Sequence, residues 1–149
     1  MRVFQFGFDG VTDTPHLPHN FGKNSVAYTG THDNNTLLGF IWECDYTKRK
    51  DLLDYCGYTG NDWNSREAYE SVIRTVLRSE AETVIFPLQD ILLYGADTRM
   101  NVPGEKDGNW KWRVTRDQIA SVDVGRLRWL NKLYCRIPEP EKEEKETGN

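Results

Sequence analysis

Hydrophobic and polar positions along the chain fall into two rhythms. Val3, Phe4, Phe6 and Phe8 form an apolar run with Gln5 as its strongly polar interruption, which predicts a buried parallel strand over residues 2–8. Residues 9–23 carry Gly10, Pro15, Pro18 and Gly22 and read as a loop. A second strand is expected over residues 25–29, then a helix over 35–43 with Leu37, Leu38, Ile41 and Trp42 on one side. Asp45 is placed to cap a further short helix ending at Tyr55, with Gly57 as its stop. Asn64-Ser65-Arg66-Glu67 has the form of a capping box. The helix behind it, expected to reach Ala81, carries a core stripe of Ala68, Tyr69, Val72, Ile73, Val76 and Leu77. Residues 83–86 predict a third strand, ended by Pro87, which is suited to open the next helical turn at its first position. Ile91, Leu92 and Leu93 are expected in the core. Thr115-x-x-Gln118 starts a helical turn, and Ser121 is expected to cap a last helix reaching Cys135, with Val124, Leu127, Leu130 and Tyr134 on its inner face.

Strands alternating with helices imply an α/β fold with a parallel sheet. Two polar clusters fall where strands end. Thr29-Gly30-Thr31-His32-Asp33-Asn34-Asn35 follows the second strand, and Gln89-Asp90 follows the third. Such positions carry the chemistry of many α/β proteins. They also suit helix caps, and Asp33 or Asn34 fits that role as well. The segment 95–113 is a long loop carrying Trp110 and Trp112. Loops beyond about 12–15 residues are uncommon unless they serve function or are disordered. The two indoles favour a binding loop, the other reading being a loop pinned by them to the wall of the fold.

Composition narrows the classes. At 149 residues, 38% hydrophobic and 28% charged, the chain is expected to form one globular domain. Its formal charge is −4, of which residues 138–149, with five Glu and two Lys, carry −3. No basic surface suggests nucleic acid. No apolar run approaches the roughly 18 residues of a membrane helix. The first residues lack the form of a signal peptide. Cys44, Cys56 and Cys135 show no Cys-x-x-Cys spacing and read as reduced thiols, so the expected location is cytoplasmic. His16 and His19 lack further ligands nearby and are expected to be exposed or to line a substrate rim, with no metal bound. The expected division is a folded body over 1–137 and a disordered, charged tail over 138–149. Five Trp are more than a plain core requires and hint at flat ligands such as sugars, buried Trp being the commoner explanation.

Six segments in order carry a resemblance: Arg2-Val3-Phe4-Gln5-Phe6, Leu17-Pro18-His19-Asn20, Tyr28-Thr29-Gly30-Thr31-His32-Asp33-Asn34, Phe86-Pro87-Leu88-Gln89-Asp90-Ile91-Leu92, Arg99-Met100-Asn101-Val102-Pro103-Gly104 and Gly108-Asn109-Trp110-Lys111-Trp112-Arg113. Together they resemble the 4-α-glucanotransferases (amylomaltases) of glycoside hydrolase family 77, from residue 1 to about residue 135. The resemblance implies a (β/α)8 barrel that transfers α-1,4-glucan segments with retention. Three strands cannot close a barrel of eight. The chain is thus expected to be a partial TIM barrel, the last three βα units, and its partners are a maltodextrin or starch-type glucan and the missing N-terminal part of the barrel.

Retaining enzymes use a carboxylate nucleophile and a second carboxyl as acid/base. The resemblance places both upstream of residue 1, so the isolated chain is expected to be inactive. It makes Asp33 the family's third acidic residue, a transition-state stabiliser, and His32 a donor to the same glucose. Asn101 would line the sugar cleft. Gln89 and Asp90 would contact substrate or else cap and support. Arg99 would pair with a carboxylate and brace the loop. Trp110 and Trp112 would stack on glucose or pack. No cofactor is implied. The other class left open is a non-catalytic glucan-binding or interaction module derived from that barrel.

Overall fold

The computed structural model describes residues 1–11 and 13–137. The tail expected over 138–149 lies outside the described residues. Three short strands, β1 (Arg2–Val3), β2 (Val26–Tyr28) and β3 (Thr83–Ile85), form a parallel sheet in sequence order. Arg2 pairs with Ala27 and Val3 with Tyr28, while Val26, Ala27 and Tyr28 pair with Thr83, Val84 and Ile85. The strand predicted over residues 2–8 is cut short, and Phe4–Phe8 coils into a 3-10 helix. Gln5 N still donates to the Thr29 carbonyl at 3.3 Å, while its side-chain amide turns inward to donate to the Asn35 carbonyl at 2.8 Å. Phe4 and Phe8 then lie on the same side, ring centroids 4.9 Å apart, a spacing that an alternating strand does not produce. Among the described residues of the β1-to-β2 link, the helical turns are 3-10, here and at Pro18–Asn20.

The β2-to-β3 crossover holds α1 (Leu37–Glu43), α2 (Tyr46–Tyr55) and α3 (Arg66–Leu77). The cap of α1 is Thr36, whose hydroxyl accepts from Gly39 N at 3.1 Å, and not Asp33 or Asn34. Asp45 caps α2 as expected, accepting from Lys48 N at 2.9 Å, and Gly57 beyond its end takes a φ of 78°. Ser65, rather than Asn64, caps α3, so the expected Glu67 box does not form. All six stripe residues of α3 are buried, as its periodicity predicts. Trp42, expected to face inward, is 59% exposed and donates its indole N–H to the Tyr69 hydroxyl.

After β3 come α4 (Leu88–Ile91), α5 (Arg116–Ala120) and α6 (Val124–Leu133). Pro87 stands at the N-cap of α4, one position before the first-turn place expected for it. Thr115 and Gln118 form a reciprocal capping box on α5. Asp123, not Ser121, caps α6. Leu130 of α6 is buried, whereas Val124 is exposed. Ile91, Leu92 and Leu93 are only partly buried. One core lies between the sheet face carrying Ala27 and Val84 and the helices, and Leu130 closes it. On the opposite face Thr83 and Ile85 of β3 are exposed, Val26 and Tyr28 of β2 are partly buried and Val3 of β1 is fully buried.

Of the two loop histidines, His19 is exposed and His16 partly buried. The His16 Nδ1 accepts a 3.0 Å hydrogen bond from Val3 N, and burial, with Arg2 nearby, lowers its pKa. The three cysteines are free. Among the described residues, no helix is long and apolar enough to cross a membrane.

Candidate active site

The polar cluster stands at the C-terminal end of β2, between strand and α1. Thr29 is fully buried, and its hydroxyl donates to Asp90 Oδ2 at 2.5 Å. The other oxygen, Oδ1, accepts from Leu37 N at 2.7 Å. One buried carboxylate thus ties the end of β2 to the first turn of α1. Burial pushes the Asp90 pKa up to about 6, against the opposing pull of those two donors. Gly30 follows because a Cβ there would meet Gln5 Nε2 at 2.6 Å. Asn34 turns back, its Oδ1 accepting from Thr31 N and Thr31 Oγ1, which tightens the bend.

This bend pushes His32 and Asp33 outward, with side chains 57% and 51% exposed. Asp33 Oδ1 accepts from Asn101 Nδ2 at 2.6 Å and lies 3.4 Å from His32 Nε2. Among the described residues Oδ2 has no hydrogen-bond partner, so it is open to a ligand hydroxyl. The loop bearing Asn101 is fastened by its backbone, Asn101 N donating to the His32 carbonyl at 3.1 Å. Arg99 reinforces this through carbonyls instead of the expected carboxylate. Its Nη2 donates to the Asp33 carbonyl at 2.7 Å and its Nε to the Asn101 carbonyl at 2.9 Å.

Trp110 completes the cluster. Its ring centroid lies 5.1 Å from that of His32, and its backbone N–H donates to the Met100 carbonyl at 2.7 Å. Trp110 takes a φ of 61°, costly for so bulky a residue, and its side chain remains half exposed. Trp112 lies apart, edge-on to Tyr94. Gln89 and Asp90 are buried, Gln89 Nε2 donating to the Thr98 carbonyl at 3.2 Å. Both line a cavity of about 140 Å³ that also touches His32, Arg99 and Met100.

The structure therefore brings His32, Asp33, Asn101 and Trp110 together at one surface and sets Gln89 and Asp90 beneath it. Sequence reasoning missed the Thr29–Asp90–Leu37 tie, which has no local signal across a separation of 61 residues. It also missed Thr36 as cap, although Thr36 directly precedes the first apolar helical position. Chemically, the exposed group offers one half-free carboxylate, an imidazole, an amide and an indole. It can hold hydroxyls and a flat sugar face. Among the described residues no second exposed carboxylate joins Asp33, since both oxygens of Asp90 are engaged.

The family model of glycoside hydrolase family 77, described as 4-alpha-glucanotransferase, matches residues 1–119. The chloroplastic/amyloplastic 4-alpha-glucanotransferase of Arabidopsis thaliana is 41% identical over 140 residues, 92% of this chain and 24% of its own length. The Synechocystis 4-alpha-glucanotransferase is 41% identical over 137 residues, 91% of this chain and 26% of its own. Among solved structures, amylomaltase from Streptococcus agalactiae in complex with acarbose aligns with a TM-score of 0.81 at 30% identity, covering 91% of this chain and 27% of that one. The chain spans about a quarter of the length of these relatives. The parallel sheet with its helices is compatible with part of an α/β barrel. On the match over residues 1–119, the chain belongs to glycoside hydrolase family 77, the 4-alpha-glucanotransferases.

Proposed function

We propose that these residues form the closing part of a glucanotransferase barrel, its last three strands, and serve the transfer of α-1,4-glucan segments between maltodextrins with retention. The observation that carries this is the seating of Asp33 at the C-terminal end of β2. Asn101 grips one carboxylate oxygen, His32 lies beside it, and Trp110 packs against His32. In a parallel barrel that end of the strands is the catalytic face.

The chemistry follows from the arrangement. Glycosyl transfer passes through an oxocarbenium-like state, and hydrogen bonds to ring hydroxyls strengthen there by several kcal/mol. Asn101 holds one Asp33 oxygen, which fixes the carboxylate plane and leaves the other oxygen for the hydroxyl of a distorted sugar. His32 donates to the same ring, and Trp110 offers a face or edge beside it. The attacking carboxylate and the acid/base carboxyl come from strands outside this sequence. Retention follows from their two successive displacements at the anomeric carbon. Asp90 and Gln89 act from below, holding β2, α1 and the 95–113 loop in register.

The test is maltotriose disproportionation by the chain alone and by the chain mixed with the upstream three quarters of a relative. Glucose and longer maltodextrins only in the mixture support the reading. Turnover by the chain alone contradicts the placement of the catalytic pair. Maltodextrin binding without turnover in either sample favours a glucan-binding module.

A further inference from the structure

A second cluster of aromatic rings lies outside the site around Asp33 and shares no residue with it. Where α2 passes the segment before α3, a cavity of about 220 Å³ is walled by Tyr46, Arg49, Lys50, Asp54, Asn61 and Trp63, among others. Two of these walls are flat rings. Tyr46 is 75% exposed, and the half-buried Trp63 is held in place by the Arg49 guanidinium stacked 3.9 Å from its ring. Trp42, 59% exposed, meets Trp63 edge-on with centroids 6.1 Å apart and extends the aromatic surface beyond the cavity.

The two cationic side chains here both have hydrogen-bond partners. Arg49 donates to the carbonyls of Ile41, Trp42 and Cys44, and Lys50 pairs with Asp54. Arg49 leaves the lining with one net positive charge, turned toward those carbonyls, and the free groups are rings, the Asn61 amide and the Thr59 hydroxyl. A site of this size is below the roughly 300–1,000 Å³ of drug-sized ligands, so it seats one ring and not an oligomer. Flat apolar faces beside neutral hydrogen-bonding groups match a pyranose, whose C–H face stacks while its hydroxyls bond.

We propose that this cleft is a surface site for a neutral glucan, stacking one glucose unit on Tyr46 and Trp63 while the chain continues over Trp42. The choice of an α-1,4-glucan rests on the transferase reading above. Such a site holds polymer against the protein away from the reacting bond and raises its local concentration.

The test follows the indole N–H resonances of the isotope-labelled chain as maltoheptaose is added. The Trp63 resonance is expected to shift and saturate. Tyr46→Ala, a substitution of an exposed residue, should raise the Kd read at Trp63 about tenfold, and Tyr46→Phe should keep it near the parent value. Cellohexaose should bind at least tenfold more weakly. The site is overturned if only Trp110 responds, if no indole responds, or if Tyr46→Ala binds as the parent does. Equal binding of cellohexaose overturns the α-glucan assignment. The two readings separate cleanly. Tyr46-dependent binding without turnover in the reconstituted barrel leaves the cleft standing and removes the transferase, whereas turnover with an unresponsive Trp63 does the reverse.

Discussion

Asp33 and Asp90 show how environment divides the work of two carboxyls. Asp33 is exposed and keeps one oxygen free, while Asp90 is 3% exposed with both oxygens engaged. The Asp90 pKa is raised from 3.8 to about 6, so its contribution to stability is full below the unfolded value and is lost as pH rises through about 6. Asp90→Asn can keep both contacts, its carbonyl oxygen accepting from Leu37 N and its amide donating to the Thr29 hydroxyl. The substitution should shift stability relative to the parent by up to about 3 kcal/mol in favour of Asn between pH 4 and pH 7. Urea midpoints of both proteins across that range measure it, and parallel profiles would show that Asp90 is not the group responsible. Glu70 titrates with the opposite sign. Burial alone would raise its pKa, but hydrogen bonds from Arg126 and Arg74 outweigh that and lower it. Only the difference between variant and parent therefore isolates Asp90. Arg99 is a positioning residue. Arg99→Lys loses the two-carbonyl grip and, in the assembled barrel, should lower kcat about tenfold or more with little change in the melting temperature. A matching loss of melting temperature would make its role merely structural.

At the scale of elements, legibility followed periodicity. The α3 stripe, the Asp45 cap and the Thr115–Gln118 box were readable because each signal is local and strong. Phe4–Phe8 was not, because an apolar run looks the same in a strand and in a buried coil until Gln5 is seen to reach Asn35 across 30 residues. Trp42 and Val124 fit helical faces by spacing yet lie exposed, since spacing does not say how wide the buried stripe is. In α6 the contrast is measurable. Leu130→Ala should cost about 2–5 kcal/mol, and Val124→Ala should stay within about 0.5 kcal/mol. Equal urea midpoints for the two variants would contradict the observed seating of α6. The candidate site was legible as a cluster of motifs. What could not be read was that Asn101 grips Asp33 across 68 residues, because only the folded loop brings them together.

For the whole molecule, the sheet is the open question that the fold poses. Among the described residues β1 and β3 each have one unpaired edge, and Thr83, Ile85 and Phe6 are exposed, Phe6 and Ile85 by more than 40%. Unpaired edges and exposed apolar surface favour association. Sedimentation velocity should find concentration-dependent self-association of the chain alone. Mixing with the upstream three quarters of a relative should replace it with a one-to-one complex and a higher melting temperature. A chain that stays monomeric at high concentration and melts unchanged in the mixture would contradict a barrel completed in this way. The proposed function rests most heavily on the Asp33 carboxylate acting on the transition state. The most direct measurement is the steady-state kinetics of maltotriose disproportionation by the reconstituted barrel carrying Asp33→Asn. The account predicts that kcat falls by about 100-fold or more while KM changes by no more than about threefold. An unchanged kcat would remove Asp33 from the chemistry.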